Sequence, residues 1–457
     1  MTHQPSVDRS GASAAERPTD ATRSGHVTSV SDIGLKRALA VGEEAAFLWV
    51  RRPFVARSSA LTFDVLARMD QRLSRLVYKL SEKPTLAEPF LQNDSSAFKS
   101  GLTFVTAIVA LRGRVIHVFD RLLARLKSEP DLHCPLASAL TWLDYSEVRP
   151  YVEQLLATPS PPLLRLGLET AIAHRVDPGR ALLRAVASEA PALRAKAWEA
   201  VGRLAAKELR PKLYAALYDE DATCRFWAAW SAVRLGDRDG IPVLGRFAAD
   251  RGIFAKPACE MALRALDLDQ AVRAQQRLSS ITGNERLAIV AAGIIGDPTL
   301  VSWLLDLMGS PTLARRAGAA FCLMTGCDLR RDDLDAERPS NAVAAPRDEP
   351  DRDEPEERQP SLNAAGERPE DEADDELPWP DTIRLRKWWD GHRQSFVPGV
   401  RYVAGFPIRR AEMMRVRHAG NQQQRAAAAL ELALLAPNEP MLDVTAPAQR
   451  QIEVESA

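Results

Sequence analysis

The sequence predicts an all-α fold: a right-handed α-solenoid of helical hairpins, with a helical N-terminal cap and a small C-terminal cap. Three observations carry this. The first is the stretch Glu220–Phe247. In it Phe226, Ala229, Trp230 and Val233 fall at i, i+3, i+4 and i+7, one apolar helical face. Leu235-Gly236-Asp237 makes a corner, because glycine has the freedom that ends a helix and aspartate accepts the amides that open the next. Pro242 sits near the first turn of the second helix, where its missing N–H costs little. The second observation is recurrence. The same grammar returns at Leu163–Arg175, Leu193–Ala206, Arg286–Asp297 and Leu313–Gly326, with the weakest copy at Pro257–Leu266. The third is the lattice of Gly236, Gly296 and Gly326, 60 and then 30 residues apart. One hairpin cannot bury its own face, so a fixed period of hairpins implies stacking.

In chain order, residues 1–31 are polar and lack a periodic apolar face, and disorder is expected. Residues 32–94 are expected to form the N-terminal cap. There Leu66, Met69, Leu73, Leu76, Val77 and Leu80 make one stripe. The solenoid is assigned to 95–330, with two degenerate pairs before the regular copies. At about Arg331 the composition turns to Asp, Glu, Arg and Pro. Residues 331–377 are read as a disordered acidic linker, a solvated tether able to shield a basic groove in cis. A C-terminal helical cap follows at 378–445, and 446–457 reads as a loose tail.

The bounds exclude several function classes. The chain has 457 residues and a net charge of -1, which argues against a general nucleic-acid binder. No apolar stretch approaches a membrane span. Residues 1–30 lack the apolar run of a secretory signal. Five cysteines with no CxxC pair suit packed thiols in a reducing compartment. A cytoplasmic protein is expected. The seven histidines are isolated, no metal-ligand spacing is visible, and phosphate-loop, dinucleotide, HExxH and GxSxG motifs are absent. The sequence therefore predicts no enzyme, no cofactor and no metal. Asp144, Asp177, Asp237 and Asp297 recur at the repeat period and read as helix caps. Arg194, Arg225, Arg286 and Arg315 recur as well. They are read either as bonded to neighbouring carbonyls and carboxylates or as a basic groove for a partner. Trp227, at the edge of its apolar stripe, and Trp388 and Trp389, in the C-terminal cap, complete the candidate partner-binding set. Trp388 and Trp389 also suit stapling the cap to the solenoid's end.

Beyond the repeats, four runs carry a family resemblance: Glu43–Trp49, Leu66–Leu73, Gly399–Tyr402 with Gly405, and Gln424–Ala433. With them the chain resembles a family of bacterial HEAT-like repeat proteins whose repeats are similar to those of phycobilisome lyases. The period here is shorter than the roughly 40–47 residues of ordinary HEAT units, as in that subtype. Arg51–Phe54, Val77–Leu80 and the long acidic insert depart from the family pattern. Members are often encoded beside type VI secretion spike and effector genes. The resemblance thus implies an accessory role there, with a secretion effector or spike component as partner. The leading expectation is a non-enzymatic scaffold or adaptor that holds a protein partner. Two alternatives are a chromophore or small-molecule lyase, resting on repeat subtype alone, and an immunity protein that blocks a toxin.

Overall fold

Apolar stripes at helical spacing, broken every 30 residues or so, fold as stacked helical pairs in the computed structural model. It describes residues 30–93, 98–339, 374 and 377–456. Two long helices begin the chain, α1 (Val30–Arg57) and α2 (Phe63–Ser81), then a short α3 (Ala87–Gln92). Helix α1 runs on through Pro53 to Arg57. The pairs follow: α4 (Lys99–Arg112) with α5 (Ile116–Arg125), α6 (His133–Trp142) with α7 (Tyr145–Ala157), α8 (Pro161–His174) with α9 (Arg180–Val186), and α10 (Pro191–Arg203) with α11 (Arg210–Ala216). Next come α12 (Ala222–Arg234) with α13 (Gly240–Ala249), α14 (Ala255–Ala265) with α15 (Leu268–Ser279), and α16 (Glu285–Ile295) with α17 (Val301–Leu307). Helix α18 (Ala314–Thr325) ends the array. The expected all-α solenoid is what the structure shows.

Each first helix packs on the first helix of the next pair, from α4 through to α18, while the second helices lie further apart. Close approach along the first helices needs small residues. A Cβ on Gly202 of α10 would lie 2.4 Å from the Ser231 hydroxyl of α12 and 2.9 Å from its Cα. That hydroxyl in turn donates to the Trp198 carbonyl at 2.6 Å. The corners turn through left-handed backbone at Arg175, Ala205, Gly236, Gly296 and Gly326. Periodic glycine marks only three of these. At the corners the aspartates act locally: Asp177, Asp237 and Asp297 accept from the amide two residues on, at 2.8, 3.0 and 3.0 Å. Asp144 caps α7, with Glu147 accepting from its amide at 3.3 Å.

The C-terminal part departs from expectation in three ways. First, residues 331–339 do not belong to a tether. Leu334 is buried, and β1 (Asp335–Ala336) pairs antiparallel with β2 (Trp379–Pro380). The acidic stretch 340–373 and residues 1–29 of the expected arm lie outside the described residues. Second, the cap does not merely sit at the end of the solenoid. It comprises α19 (Thr382–His392), the β3 (Tyr402–Val403)–β4 (Phe406–Pro407) hairpin, α20 (Arg410–Ala419) and α21 (Gln422–Leu435). From α18 it runs back along the corners until α21 reaches α14 and α1. Third, the tail expected to be loose from 446 holds α22 (Ala448–Ser456), packed on α2. Gln451 is buried there and donates to the Val444 and Ala446 carbonyls at 2.8 and 2.7 Å. The sequence signal was weak because this helix is polar and short.

Gly202→Ala should lower stability by about 1–3 kcal/mol, because overpacking at a backbone contact forces neighbours apart. Urea denaturation of the two proteins measures it.

Candidate functional site: two cation rows along the repeats

A cation stands near the start of six successive first helices: Arg165, Arg194, Arg225, Lys256, Arg286 and Arg316, at intervals of 29 to 31 residues. The structure gives several of them internal partners. Arg194 makes a forked pair with Asp219, Nε to Oδ2 at 2.6 Å and Nη2 to Oδ1 at 2.9 Å. Its Nη1 donates to the Ser188 carbonyl at 2.7 Å. Arg225 Nη1 donates to the carbonyls of Asp219 and Glu220 at 2.7 and 2.8 Å. One aspartate thus joins two rungs, and the Arg194 hydrogen bond holds its carboxyl below the usual range. Further along, Arg286 donates to the Thr312 carbonyl at 3.3 Å and pairs with Asp374. Arg316 pairs with the same carboxylate at 2.6 Å. Arg315, the residue singled out from the sequence, instead stands over the Trp379 ring at 4.9 Å.

The three candidate tryptophans also find partners within the chain. Trp227 is half-buried and edge-on to Phe226 and Trp230, at 5.0 and 5.5 Å between ring centroids. Trp388 and Trp389 present their edges to Phe321 of the last first helix at 5.7 and 6.2 Å. They dock α19 on the end of the array.

Sequence reading missed a second row, at the other end of the first helices. Arg203, Arg234 and Arg264 each fall at or near the last helical position, with Arg175 at the preceding corner. A helix leaves its last carbonyls without intrahelical partners. Here the returning C-terminal segment and these arginines satisfy each other. Arg175 donates to the Pro440 carbonyl at 2.9 Å, and Arg234 to that of Glu439 at 2.5 Å. The Met441 amide donates to the Arg203 carbonyl at 2.8 Å. Arg401 donates to the carbonyls of Ile295 and Arg264 at 3.1 and 3.0 Å. The Tyr402, Ala404 and Gly405 amides take those of Gly296, Leu323 and Met324 at 2.9, 2.6 and 2.9 Å. At the N-terminal end Arg52 reaches the Thr445 and Ala446 carbonyls, and Asp70 accepts from the Ala448 amide. The sequence signal was present: an arginine one or two residues before successive corners.

Two clefts, of about 330 and 290 Å³, flank the segment near Asp443–Ala446. The second holds a charge cluster. Lys196 Nζ lies 2.8 Å from Glu199 and 3.6 Å from Glu169, and Arg203 Nε lies 2.7 Å from Glu199. Burial pushes Glu199 up, but Lys196 and Arg203 outweigh it and bring its pKa down to about 2. Burial opposes the charge on Lys196, yet Glu169 and Glu199 leave it raised. A catalytic acid or base works best with a pKa near the operating pH. These groups are moved away from it. Burial likewise pushes the Cys224 and Cys259 thiols up to about 12, the opposite of an activated nucleophile. Among the described residues no group of three or more His, Cys, Asp or Glu side chains is arranged to hold a metal ion, and no helix is long and apolar enough to cross a membrane.

A family model described as HEAT repeats matches residues 179–264, the span from α9 to α14. No curated protein matches the chain. With the geometry above, the chain is an all-α solenoid that carries HEAT-like repeats over residues 179–264 and has its corners tied by its own C-terminal segment.

Two outcomes test this arrangement. Arg264 and Glu431 pair at 2.7 Å with side chains only 2% and 4% exposed. Glu431→Gln leaves a buried cation without its counter-charge and should cost about 3–5 kcal/mol. Chemical denaturation measures the loss. Burial lowers the pKa of both His133 and His174 from 6.5 to about 4. The folded protein therefore favours neutral rings: their contribution is complete above pH 6.5 and is lost as pH falls through about 4. His174 Nε2 lies 3.0 Å from the Leu140 carbonyl, a bond glutamine can also donate. Thermal unfolding of the His133→Gln/His174→Gln protein between pH 7.5 and 4 should show a shallower decline than the parent.

Proposed function

We propose that the protein is a non-enzymatic scaffold that binds a protein partner on the outer, second-helix side of its repeats. The observation that carries this reading is an aromatic pair left facing solvent. Tyr214 and Tyr218, on and just after α11, are 59% and 71% exposed, with ring centroids 5.9 Å apart. Leu183 stands exposed one period earlier on α9. The corner edge of the array is already occupied by residues 399–456, so the outer side is the long surface open to a partner. Tyrosine is enriched among residues that dominate binding energy at interfaces. The resemblance to proteins encoded beside type VI secretion genes supports a secretion effector or spike component as that partner.

A photo-crosslinking residue placed at position 214 should capture a specific protein in the native cell. The purified partner should then bind the unmodified chain, with at least a tenfold loss for Tyr214→Ala/Tyr218→Ala (about 1.4 kcal/mol or more). Unchanged affinity in that variant would overturn the outer-surface reading. A partner from outside the secretion apparatus would remove the type VI assignment alone.

A further inference from the structure

The row of cations near the helix starts changes character along the array. The place before each rung holds Ser188 ahead of Arg194, and in the middle part it holds a local carboxylate. Asp219 lies between Arg194 and Arg225, and Asp250 holds the same place in the sequence between Arg225 and Lys256. In the later part that place is taken by Ser280 and then Ser310, followed by Pro311. Neither can balance a guanidinium. At the last rung the missing charge comes from far along the chain. Asp374, 88 residues beyond Arg286, lies between Arg286 and Arg316 with its side chain only 4% exposed.

We propose that Arg286 and Arg316 form a carboxylate-binding site, filled in cis by Asp374 and able to take an acidic peptide of a partner protein in its place. Guanidinium groups from adjacent repeats converge on one carboxylate, a geometry suited to charge-assisted recognition. The Arg315–Trp379 contact borders the site and gives an incoming chain an aromatic surface. The Leu377 amide donates to the Asp374 carbonyl at 3.0 Å, and the chain then enters β2. The cis carboxylate competes from a short tether, at an effective concentration on the order of millimolar. An acidic segment in trans wins when Asp374 is removed or when a second contact adds avidity.

The test uses full-length protein and a fluorescein-labelled copy of Pro369–Leu377 followed by anisotropy. Changing Glu370, Asp371, Glu372, Asp374, Asp375 and Glu376 to their amides removes every carboxylate between Pro369 and Leu377. This variant should bind the peptide at least about tenfold more tightly than the parent, because the tethered competitor is gone. Binding should weaken sharply at about 0.5 M salt, as screening requires, and should vanish when Arg286→Gln and Arg316→Gln are added. A second readout needs no change to the acidic stretch. In the parent protein, millimolar peptide should speed hydrogen exchange at the Leu377 amide, while the matching Asn/Gln peptide should not. Peptide binding that stays equally weak in the amide variant, or that survives loss of both arginines, overturns the proposal, as does unchanged exchange at Leu377. Asp374 would then serve only to fasten the segment to the last repeat.

Discussion

The structure depends on how the ends of its stacked first helices are satisfied. Every such helix delivers a set of carbonyls with no partner of their own to the same edge of the array. Stacking brings these ends into one line. Left to water they would be satisfied cheaply, but the line also carries Arg175, Arg203, Arg234 and Arg264, which need acceptors. The C-terminal segment supplies amides for the carbonyls, carbonyls for Arg175 and Arg234 and the Glu431 carboxylate for Arg264, while Arg203 pairs with Glu199 of its own helix. Its course along the corners joins that complementarity to hydrophobic burial, since Tyr402 and Leu430 enter the main core and Val403, Met413 and Val416 pack against Leu323.

Charge is used throughout the molecule as fastening. Glu199 between Lys196 and Arg203, Glu431 between Arg264 and Arg401, and Asp219 beneath Arg194 each sit among more than one donor. Buried ion pairs add little net stability, but breaking one side is costly because the survivor remains desolvated. Such networks therefore fix which helix meets which. They help to explain how an array of imperfect repeats keeps one register.

Much of this was legible in the sequence. The helical pairs, the corners at Gly236, Gly296 and Gly326, and the docking of Trp388 and Trp389 on the last repeat all follow from local periodicity and composition. Corners at Arg175 and Ala205 were hidden, because these residues adopt left-handed backbone under tertiary constraint rather than by preference. The row at Arg194 and Arg225 was visible as a period. Its continuation at Arg316 was obscured by the adjacent Arg315. The path of the C-terminal segment was legible only in the arginines before successive corners, which do not say what binds them. It is set largely by main-chain hydrogen bonds to residues hundreds of positions away, such as the Met441 amide on the Arg203 carbonyl, and such bonds leave no trace in side-chain pattern. Asp374 was hidden for a related reason: one useful carboxylate lies among many in a stretch of uniform composition.

Repeat arrays joined only neighbour to neighbour behave like springs, since each interface yields a little and the small motions add. Here a single strand of chain touches pair after pair and is anchored at Arg52 and Asp70 near the opposite end. A cord laid along one edge of a coil stops it from stretching or twisting. Spacing between the outer helices is thereby fixed before any partner arrives. On the proposed partner surface, tyrosines 214 and 218 would then have little ordering entropy left to lose on contact.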